Sequence, residues 1–539
     1  MAWLDALRGF AALCVVYEHF GARVFPGFHK LVFSVFDPGL YGVLVFFLVS
    51  GYVVPASLER RGSVRAFWIG RVFRLFPLFG FVILATLLLN AFGLASVDGT
   101  NQNAGAAVLS HLFMLNDLLG GPNLVVVIWT LSYEMVFYLL LTALFTVGLH
   151  RRSGELALAF GAGALVLGGL LPTVWLSHHF LGLTGVALIA DALVIGGLGL
   201  ALATRGLPRV LGAWIAACTA LALVILNEHQ AGYERLTILA LMFTGTVLYR
   251  AQHGQMRRGL AAAVVAGTFA ATMAAGAWQI PALGSGQLSA LHQREWVISV
   301  ALAGLTFAAG LALQKLRVPP LFAWLGLVSY SVYLGLPLML DLYDDIPLPK
   351  SFQHLAWLQA GASVAFLAAL LGFAAMTYRL VEAPFQRLGK RVAIRLDPGV
   401  ATASQPRRTE RTPADLASPI GLASATAAAV PAGLASATSA AGAAIPVGAA
   451  AAPVGPAVPV GPAGSRAAAD PSRDRRREPA VRDHASMTRR PNLWCRLGRL
   501  RAGRNCQRIR SPLPAGGPAR VTHRWVPRSH MPASGLRAP

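Results

Sequence analysis

Long runs of apolar residues recur throughout residues 1–390, and they constrain the fold more than any other feature of the chain. About twenty apolar residues cross the ~30 Å hydrocarbon layer of a membrane as a helix. The runs are continuous and do not alternate with polar residues, which argues against a β-barrel. The twelve predicted spans are 3–22, 40–58, 75–94, 124–148, 156–176, 181–203, 209–227, 236–251, 259–278, 297–316, 321–341 and 355–378. The short run 236–251 and the charged first run reduce the count to ten or eleven if they do not span, so we predict an all-α transmembrane bundle of about 10–12 helices.

Composition excludes an ordinary cytosolic enzyme. The 539 residues are 55% hydrophobic and 13% charged, with a mean hydropathy of +0.57, whereas soluble domains carry about 25% charged residues. The four cysteines form no closely spaced pair, and the sequence contains no HExxH motif or phosphate-binding GxxxxGK[ST] loop. We therefore expect no disulfide framework and no metal site.

The loops between the spans predict the orientation of the chain in the membrane. Cytoplasmic loops are enriched in Lys and Arg. Alternate loops carry 14 basic residues on one side and 5 on the other. Both termini are therefore predicted to be cytoplasmic, with residues 95–123 and 341–345 outside. The first run lacks a basic segment before its apolar part, so we interpret it as a retained helix and not as a signal peptide.

The composition changes after the last span. Residues 391–539 contain 23 arginines, no lysine and 7 acidic residues, with long stretches of Ala, Pro and Gly. Such a segment cannot bury a core. We predict a membrane domain at 1–390 and a disordered Ala/Pro/Arg-rich cytoplasmic tail at 391–539. The tail could contact anionic lipid headgroups or nucleic acid, but a solvated extension without a nucleic-acid partner is the favoured interpretation.

Ionisable residues inside the first span are functional candidates, because charge within a membrane is costly. On a helix, Arg8 and His19 lie about 20° apart around the axis and about 16 Å apart along it. Asp5 is within ion-pair reach of Arg8. One helix face thus carries a cation near the cytoplasm and a base nearer the outside. The alternative is an arginine that reaches the membrane surface and an interfacial histidine.

Three further segments carry candidate residues. Glu134 lies inside the fourth span, where it could orient a histidine, hold a substrate hydroxyl or pair with Arg8. Ser50 offers a hydroxyl beside Gly51, for which helix packing is the favoured role. Arg71 and Arg74 lie one turn apart before the third span, where they suit phosphate recognition or topology control.

Together these segments resemble the integral-membrane acyltransferase 3 family, whose members acylate sugar hydroxyl groups. The resemblance covers residues 1–390 and is carried, in order, by LDALRGFAALCVVYEH (4–19), VFFLVSGYVVPASL (45–58), FWIGRVFRLFP (67–77), WTLSYEMVFYLL (129–140), WLGLVSYSVYL (324–334) and YRLVEAPFQRLGKR (378–391). It implies that His19 is the catalytic base and that Arg8 handles the acyl donor. It further implies that Arg71 and Arg74 help bind acyl-CoA at the cytoplasmic face, and that Glu134 is the acidic residue of a catalytic motif.

The resemblance predicts a multi-pass O-acyltransferase of the bacterial cytoplasmic membrane. Its co-substrate would be acyl-CoA, with acetyl as the expected acyl group, and no metal is implied. Its partners would be the lipid bilayer and a carbohydrate or glycolipid acceptor. Direct transfer and an acyl-histidine intermediate both remain open. The alternative is a multi-span transporter or flippase of a glycolipid-like molecule, although no internal repeat is visible.

Overall fold

The structure, a computed structural model, describes residues 1–94, 110–121, 123–283, 287–346 and 355–397. These residues form helices and short turns, contain no β-strand, and belong to one compact unit. The predicted tail from residue 398 onward lies outside them. In chain order the helices are α1 (Ala2–Val24), α2 (Pro26–Phe33), α3 (Pro38–Arg61), α4 (Val64–Ala91), α5 (Asn116–Leu119), α6 (Trp129–Thr146), α7 (Ser153–Leu167), α8 (Trp175–His179), α9 (Gly182–Ala203), α10 (Leu207–Leu226), α11 (Gly232–Gln252), α12 (Arg258–Leu283), α13 (Gln287–Ala312), α14 (Pro320–Asp344), α15 (Ala356–Thr377) and α16 (Ala383–Leu396).

The predicted helical membrane bundle is confirmed. Within the described ranges, nine helical segments are long and apolar enough to cross a membrane. The other three predicted spans correspond to α1, α7 and α11. Helix α7 has only 15 residues, and α1 and α11 each carry several ionisable side chains. The nine segments are Pro38–Arg61, Val64–Ala91, Val126–Thr146, Gly182–Ala203, Leu207–Leu226, Arg258–Pro281, Ser289–Ala312, Pro320–Asp344 and Ala356–Leu396.

Burial separates the central helices from those that face lipid. The most apolar windows of α3 and of Val126–Thr146 are 83% and 89% buried, whereas that of Ala356–Leu396 is 22% buried. Helix α11 packs between α3 and α7 and is buried along most of its length. Helix α1 packs against α3 and α14. Because α1 and α11 contact protein on several sides, they can carry charged residues that a lipid-facing helix could not.

The third membrane helix begins earlier than the sequence indicates. Helix α4 starts at Val64, and the Ser63 hydroxyl caps it by accepting the Ala66 N–H at 3.2 Å. The prediction that Arg71 and Arg74 precede this helix is therefore wrong, since both lie inside it. A hydroxyl cap satisfies the otherwise unpaired first N–H groups, so the arginine-rich segment folds as the first turns of α4.

The last helix lies against α4 at the end that carries these arginines. A π-helical turn, Tyr378–Glu382, joins α15 to α16. Helix α16 packs along α4 and continues to Leu396, past the domain boundary predicted at residue 390. These contacts bring the end of the described chain next to the first turns of α4.

Candidate functional site

A cavity opens where α1, α3, α6 and α14 meet, with an empty volume, including the space at its mouth, of about 530 Å³. Its wall is mainly apolar and aromatic, with a few polar side chains among them. This composition is typical of sites for organic ligands. The lining residues are Arg8, Val43, Phe46, Phe47, Ser50, Thr130, Leu131, Glu134, Ser329, Tyr330 and Tyr333.

A close contact between α1 and α14 positions Arg8 in this wall. A Cβ atom at Gly326 would lie 1.8 Å from the Asp5 carbonyl oxygen, and one at Gly9 would lie 2.7 Å from the Leu325 Cβ. Only glycine fits at such distances, so the two backbones touch here. The contact fixes the turn of α1 that carries Arg8 against α14. Helix α14 contributes Ser329, Tyr330 and Tyr333 to the wall of the cavity.

Arg8 is surrounded by charges that do not bond to it directly. Its guanidinium makes no hydrogen bond to any described residue, but it interacts electrostatically with Glu134 and Glu382 and is repelled by Arg74. Its N–H donors therefore remain available to a ligand in the cavity. A guanidinium with free donors suits a phosphate or another anion, which it can bind with two parallel hydrogen bonds.

Glu134 is held on α6 by two hydroxyl groups. Tyr138 donates to its Oε1 at 2.5 Å, and Ser50 of α3 donates to the same atom at 3.3 Å. The structure therefore brings Glu134 together with Arg8 and not with His19, which forms its described hydrogen bond with Val15. Gly51, next to Ser50, serves helix packing, because a Cβ there would lie 1.8 Å from the Met242 carbonyl oxygen.

The two arginines of α4 extend the charged cluster beside the cavity. Arg71 is only 7% exposed, and its Cζ lies 5.0 Å and 5.3 Å from the ring centroids of Tyr138 and Phe67. Cation–π contacts of this kind stabilise a buried guanidinium. Arg74 interacts electrostatically with Arg8 and Glu382. The two arginines thus lie next to Tyr138 of α6 and near Glu382 of the π-helical turn.

Glu382 is a member of this cluster that the sequence analysis did not single out as a site residue. It is buried in the π-helical turn, accepts a hydrogen bond from Ser331, and interacts electrostatically with Arg8 and Arg74. The stretch 378–391 marks the resemblance to the acyltransferase 3 family, but nothing in its spacing relates position 382 to Arg8. Such π-helical turns occur frequently at functional sites.

His19 lies apart from the cavity, near the C-terminal end of α1. Its Nδ1 lies 3.0 Å from the Val15 carbonyl oxygen. A carbonyl only accepts, so Nδ1 carries the proton, and the Nε2 of the neutral ring retains its lone pair. The Arg23 side chain donates to the His19 carbonyl oxygen and pairs with Asp344 at 2.8 Å, which ties this end of α1 to the end of α14.

The structure thus divides the predicted site residues into two groups. Arg8 and Glu134 line the cavity. Arg71 and Arg74 interact with the same group of residues without lining the cavity, and Tyr138 and Glu382 are members of the group that the sequence did not indicate. His19 is on the same helix as Arg8, about 16 Å further along its axis, and does not line the cavity.

The chain is similar in sequence to several known proteins. Nodulation protein 10 of Rhizobium leguminosarum bv. viciae is 31% identical over 176 residues, which cover 29% of this chain and 48% of that protein. Acyltransferase MdmB of Streptomyces mycarofaciens is 29% identical over 145 residues, or 25% and 37% of the two chains. Peptidoglycan O-acetyltransferase OatA of Listeria monocytogenes is 28% identical over 192 residues, or 32% and 28%.

These matches cover between about a quarter and a half of each relative. No solved structure matches the chain. The family described as an acyltransferase domain matches residues 1–379, which contain every candidate residue apart from Glu382. The chain therefore belongs to the acyltransferase 3 family.

Proposed function

We propose that this protein is a membrane O-acyltransferase that transfers an acyl group, with acetyl expected, from acyl-CoA to a hydroxyl of a carbohydrate. The family supports acyl transfer. A relative named as a peptidoglycan O-acetyltransferase supports a carbohydrate acceptor. The observation that carries the proposal is the pairing, on one helix, of a guanidinium with free donors and an imidazole with a free Nε2.

Arg8, Arg71 and Arg74 would bind the phosphates of the acyl donor. Arg8 offers its donors to the cavity, and Arg74 adds a second positive charge near it. Arg71 is held between two rings and would contribute mainly through its charge. Like charges close together in a protein interior are unfavourable, so a bound polyphosphate would relieve their repulsion. This gives the cluster a preference for a highly charged anion such as coenzyme A.

His19 would act as the general base. Its Nε2 takes the proton from the acceptor hydroxyl as that oxygen attacks the thioester carbonyl. The carbon–sulfur bond then breaks, and the imidazolium returns the proton to the departing thiolate. The products are the O-acylated acceptor and free coenzyme A. General bases contribute about 10²–10⁴ in rate, and a neutral imidazole suits the task near neutral pH.

The distance between the two groups fits an extended donor. Arg8 and His19 lie about 16 Å apart along α1, so a donor with its phosphates at Arg8 must reach His19 through a long thiol arm. Coenzyme A has such an arm. Glu134 would then serve at the donor end by opposing the charge of Arg8, with Tyr138 and Ser50 fixing its carboxylate.

The loop charges support an orientation in which the donor comes from the cytoplasm and the acceptor lies outside. Basic residues are concentrated on alternate loops, as expected for a bacterial cytoplasmic membrane protein with both termini inside. Arg8 would then lie near the cytoplasmic surface and His19 toward the outer leaflet. The membrane domain, predicted at 1–390, would carry the activity.

The donor class is tested with full-length protein in nanodiscs. Protein is incubated with radiolabelled acetyl-CoA or acetyl phosphate and with a crude glycan extract. We expect label in the glycan fraction from acetyl-CoA alone, together with slow release of labelled acetate when the extract is omitted. Absence of acetyl-CoA binding would contradict the proposed donor, and export of a glycolipid without transfer would favour the transporter alternative.

A further inference from the structure

One group of potential metal ligands converges among the residues that the structure describes. Asp117, at α5, meets Glu228 and His229 in the turn between α10 and α11. Each offers one ligand atom, and these atoms all lie within 4.8 Å of one another. The group is separate from the cavity described above, none of whose lining residues belongs to it.

The two carboxylates are buried and only half satisfied. Asp117 is 1% exposed and Glu228 is 0% exposed. Asn123 donates to the Oδ1 of Asp117 at 3.0 Å, while the backbone N–H of His229 donates to the Oε1 of Glu228 at 3.2 Å. No described N–H or O–H group donates to the second oxygen of either carboxylate, although the two carboxyl groups are close enough to share a hydrogen bond if one is protonated. One oxygen of each carboxylate thus accepts a hydrogen bond, and the other receives none from a described donor.

The histidine has one ring nitrogen available to a ligand. Its Nδ1 lies 3.2 Å from the carbonyl oxygen of Asp117. Since that oxygen can only accept, Nδ1 carries the proton, and in the neutral ring Nε2 presents its lone pair. Metal-bound histidines almost always donate their other ring N–H in this way, which fixes the ring and increases its basicity.

A further buried group lies beside the cluster without a partner. Tyr133 of α6 is 0% exposed, and its hydroxyl makes no hydrogen bond to a described residue. It interacts electrostatically with both Glu228 and Asp117. Three unpartnered oxygens in one buried region would be costly unless another group satisfies them.

The nearest positive charge does not pair with these carboxylates. Arg235 is fully buried and interacts with Glu228 only at a distance. Its N–H groups donate instead to the backbone carbonyl oxygens of Gln230, Val224, Ile225 and Pro172. Two neighbouring buried carboxylates therefore have no bonded cation among the described residues, and either a bound cation or a shared proton must relieve their repulsion.

We propose that Asp117, Glu228 and His229 bind a divalent cation, with Zn²⁺ or Mn²⁺ as the expected class. Two carboxylate oxygens and one imidazole form a donor set that transition metals accept. Mg²⁺ fits less well, because it demands near-ideal octahedral geometry and retains its waters. Ligands at about 2.0–2.2 Å from one ion lie at most about 4 Å apart, so small side-chain rotations would close the site.

Such an ion would tie the segment before α6 to the turn before α11. Ser132 of α6 already donates to the Met114 carbonyl oxygen, and Asn227 donates to the Leu118 carbonyl oxygen. The cation would add a central link to these bonds. Its role would be structural, on the side of the membrane where the loop charges place the acceptor.

Metal content tests the proposal independently of any activity. Full-length protein carrying an affinity tag without histidines is purified in detergent, dialysed and analysed by mass spectrometry for metals. We expect about one Zn²⁺ or Mn²⁺ per chain, and a loss of at least tenfold in the double variant Asp117→Asn/Glu228→Gln. Asp191→Asn is the matched control, since Asp191 is also buried with both carboxylate oxygens unpartnered but lies on α9.

Thermal unfolding provides a second test that does not depend on the variants folding. Wild-type protein is treated with EDTA and titrated separately with Zn²⁺, Mn²⁺, Ca²⁺ and Mg²⁺. The expected result is a Tm that falls on chelation and recovers with Zn²⁺ or Mn²⁺, because a ligand that binds only the folded state stabilises it. Metal-free wild-type protein whose Tm responds to no cation would overturn the proposal, as would full metal content in the double variant. An unresponsive Tm would indicate that the two carboxylates share a proton, whereas full metal content in the double variant would show that the metal binds elsewhere.

Discussion

The two ends of α1 hold their functional candidates in different ways. At the end that carries Arg8, side chains from α3, α4, α6 and the turn after α15 surround the guanidinium with charges and hydroxyl groups. At the other end, His19 is held by the backbone of its own helix. The proposed donor end is thus a network of several helices, whereas the proposed base depends on one local contact.

This difference follows from what each chemistry requires. Arginines packed together inside a bundle repel one another and need opposing carboxylates to hold them. A general base needs a free lone pair, so a partner on both ring nitrogens would disable it. The comparison predicts that substitutions at the donor end weaken binding, whereas substitution of His19 stops transfer without affecting binding.

The largest expected effect is at the histidine. His19→Ala should reduce kcat for acetyl transfer by about 10²–10⁴, the usual contribution of a general base. His29→Ala is the matched control, since His29 also bonds a backbone carbonyl oxygen, that of Glu18, but lies on α2. Equal loss in both variants would show that the effect is structural.

Removing the guanidinium of Arg8 should have the next largest effect. Hydrogen bonds to charged groups are worth about 1.5–3 kcal/mol, and each 1.4 kcal/mol corresponds to about tenfold in affinity. Arg8→Ala should therefore weaken acetyl-CoA binding by roughly 10–100-fold, measured with labelled acetyl-CoA on nanodiscs. Arg60→Ala removes an exposed arginine and should bind normally. Unchanged affinity for acetyl-CoA in Arg8→Ala would show that Arg8 does not bind the donor.

The contact between α1 and α14 can be broken without removing a charge. Gly326→Ala places a methyl group against the Asp5 backbone and should lower the free energy of unfolding by about 1–3 kcal/mol, as overpacking does. In the control Gly372→Ala on α15, the new Cβ atom has no neighbouring atom within 4 Å. The free energy of unfolding should therefore stay unchanged or rise slightly. Thermal unfolding in detergent distinguishes them, and equal Tm values would contradict the proposed close contact.

The smallest expected effect is at the hydroxyl that holds Glu134. Tyr138→Phe removes one of the two hydroxyl groups that hold the Glu134 carboxylate, a bond worth about 1.5–3 kcal/mol. Because Ser50 still holds Glu134 and Tyr138 does not line the cavity, KM for acetyl-CoA should rise only several-fold while kcat changes little. Tyr41→Phe removes a comparable bond, to Thr306 at 2.8 Å, elsewhere in the bundle. A change in kcat alone in Tyr138→Phe would indicate that Glu134 acts in the chemical step and not in donor binding.

Hydrophobic runs predict the helical membrane bundle well, because the length of a span is set by the bilayer. Pairing with Arg8 is one of three roles that the sequence allows for Glu134, and the packing of α1 between α3 and α14 favours it. The sequence does not predict the start of α4, because its arginine-rich first turns resemble a loop and only the Ser63 cap marks the N-terminus of the helix.

Contacts between distant segments could not be predicted. Glu382 joins the arginine cluster through a π-helical turn that has no sequence signature. Asp117 meets Glu228 and His229 across more than a hundred residues, and no ligand spacing connects them. Tertiary packing alone brings these side chains together, so patterns of local sequence carry no information about them.

The most direct test of the separation between donor binding and catalysis measures both quantities in two variants. Acetyl-CoA binding and acetyl transfer are determined for wild-type, His19→Ala and Arg8→Ala protein in nanodiscs. The division of α1 into two functional ends predicts that His19→Ala binds acetyl-CoA like the wild type but transfers nothing, while Arg8→Ala loses affinity. If His19→Ala also lost donor binding, or if it transferred at the wild-type rate, that division would be wrong.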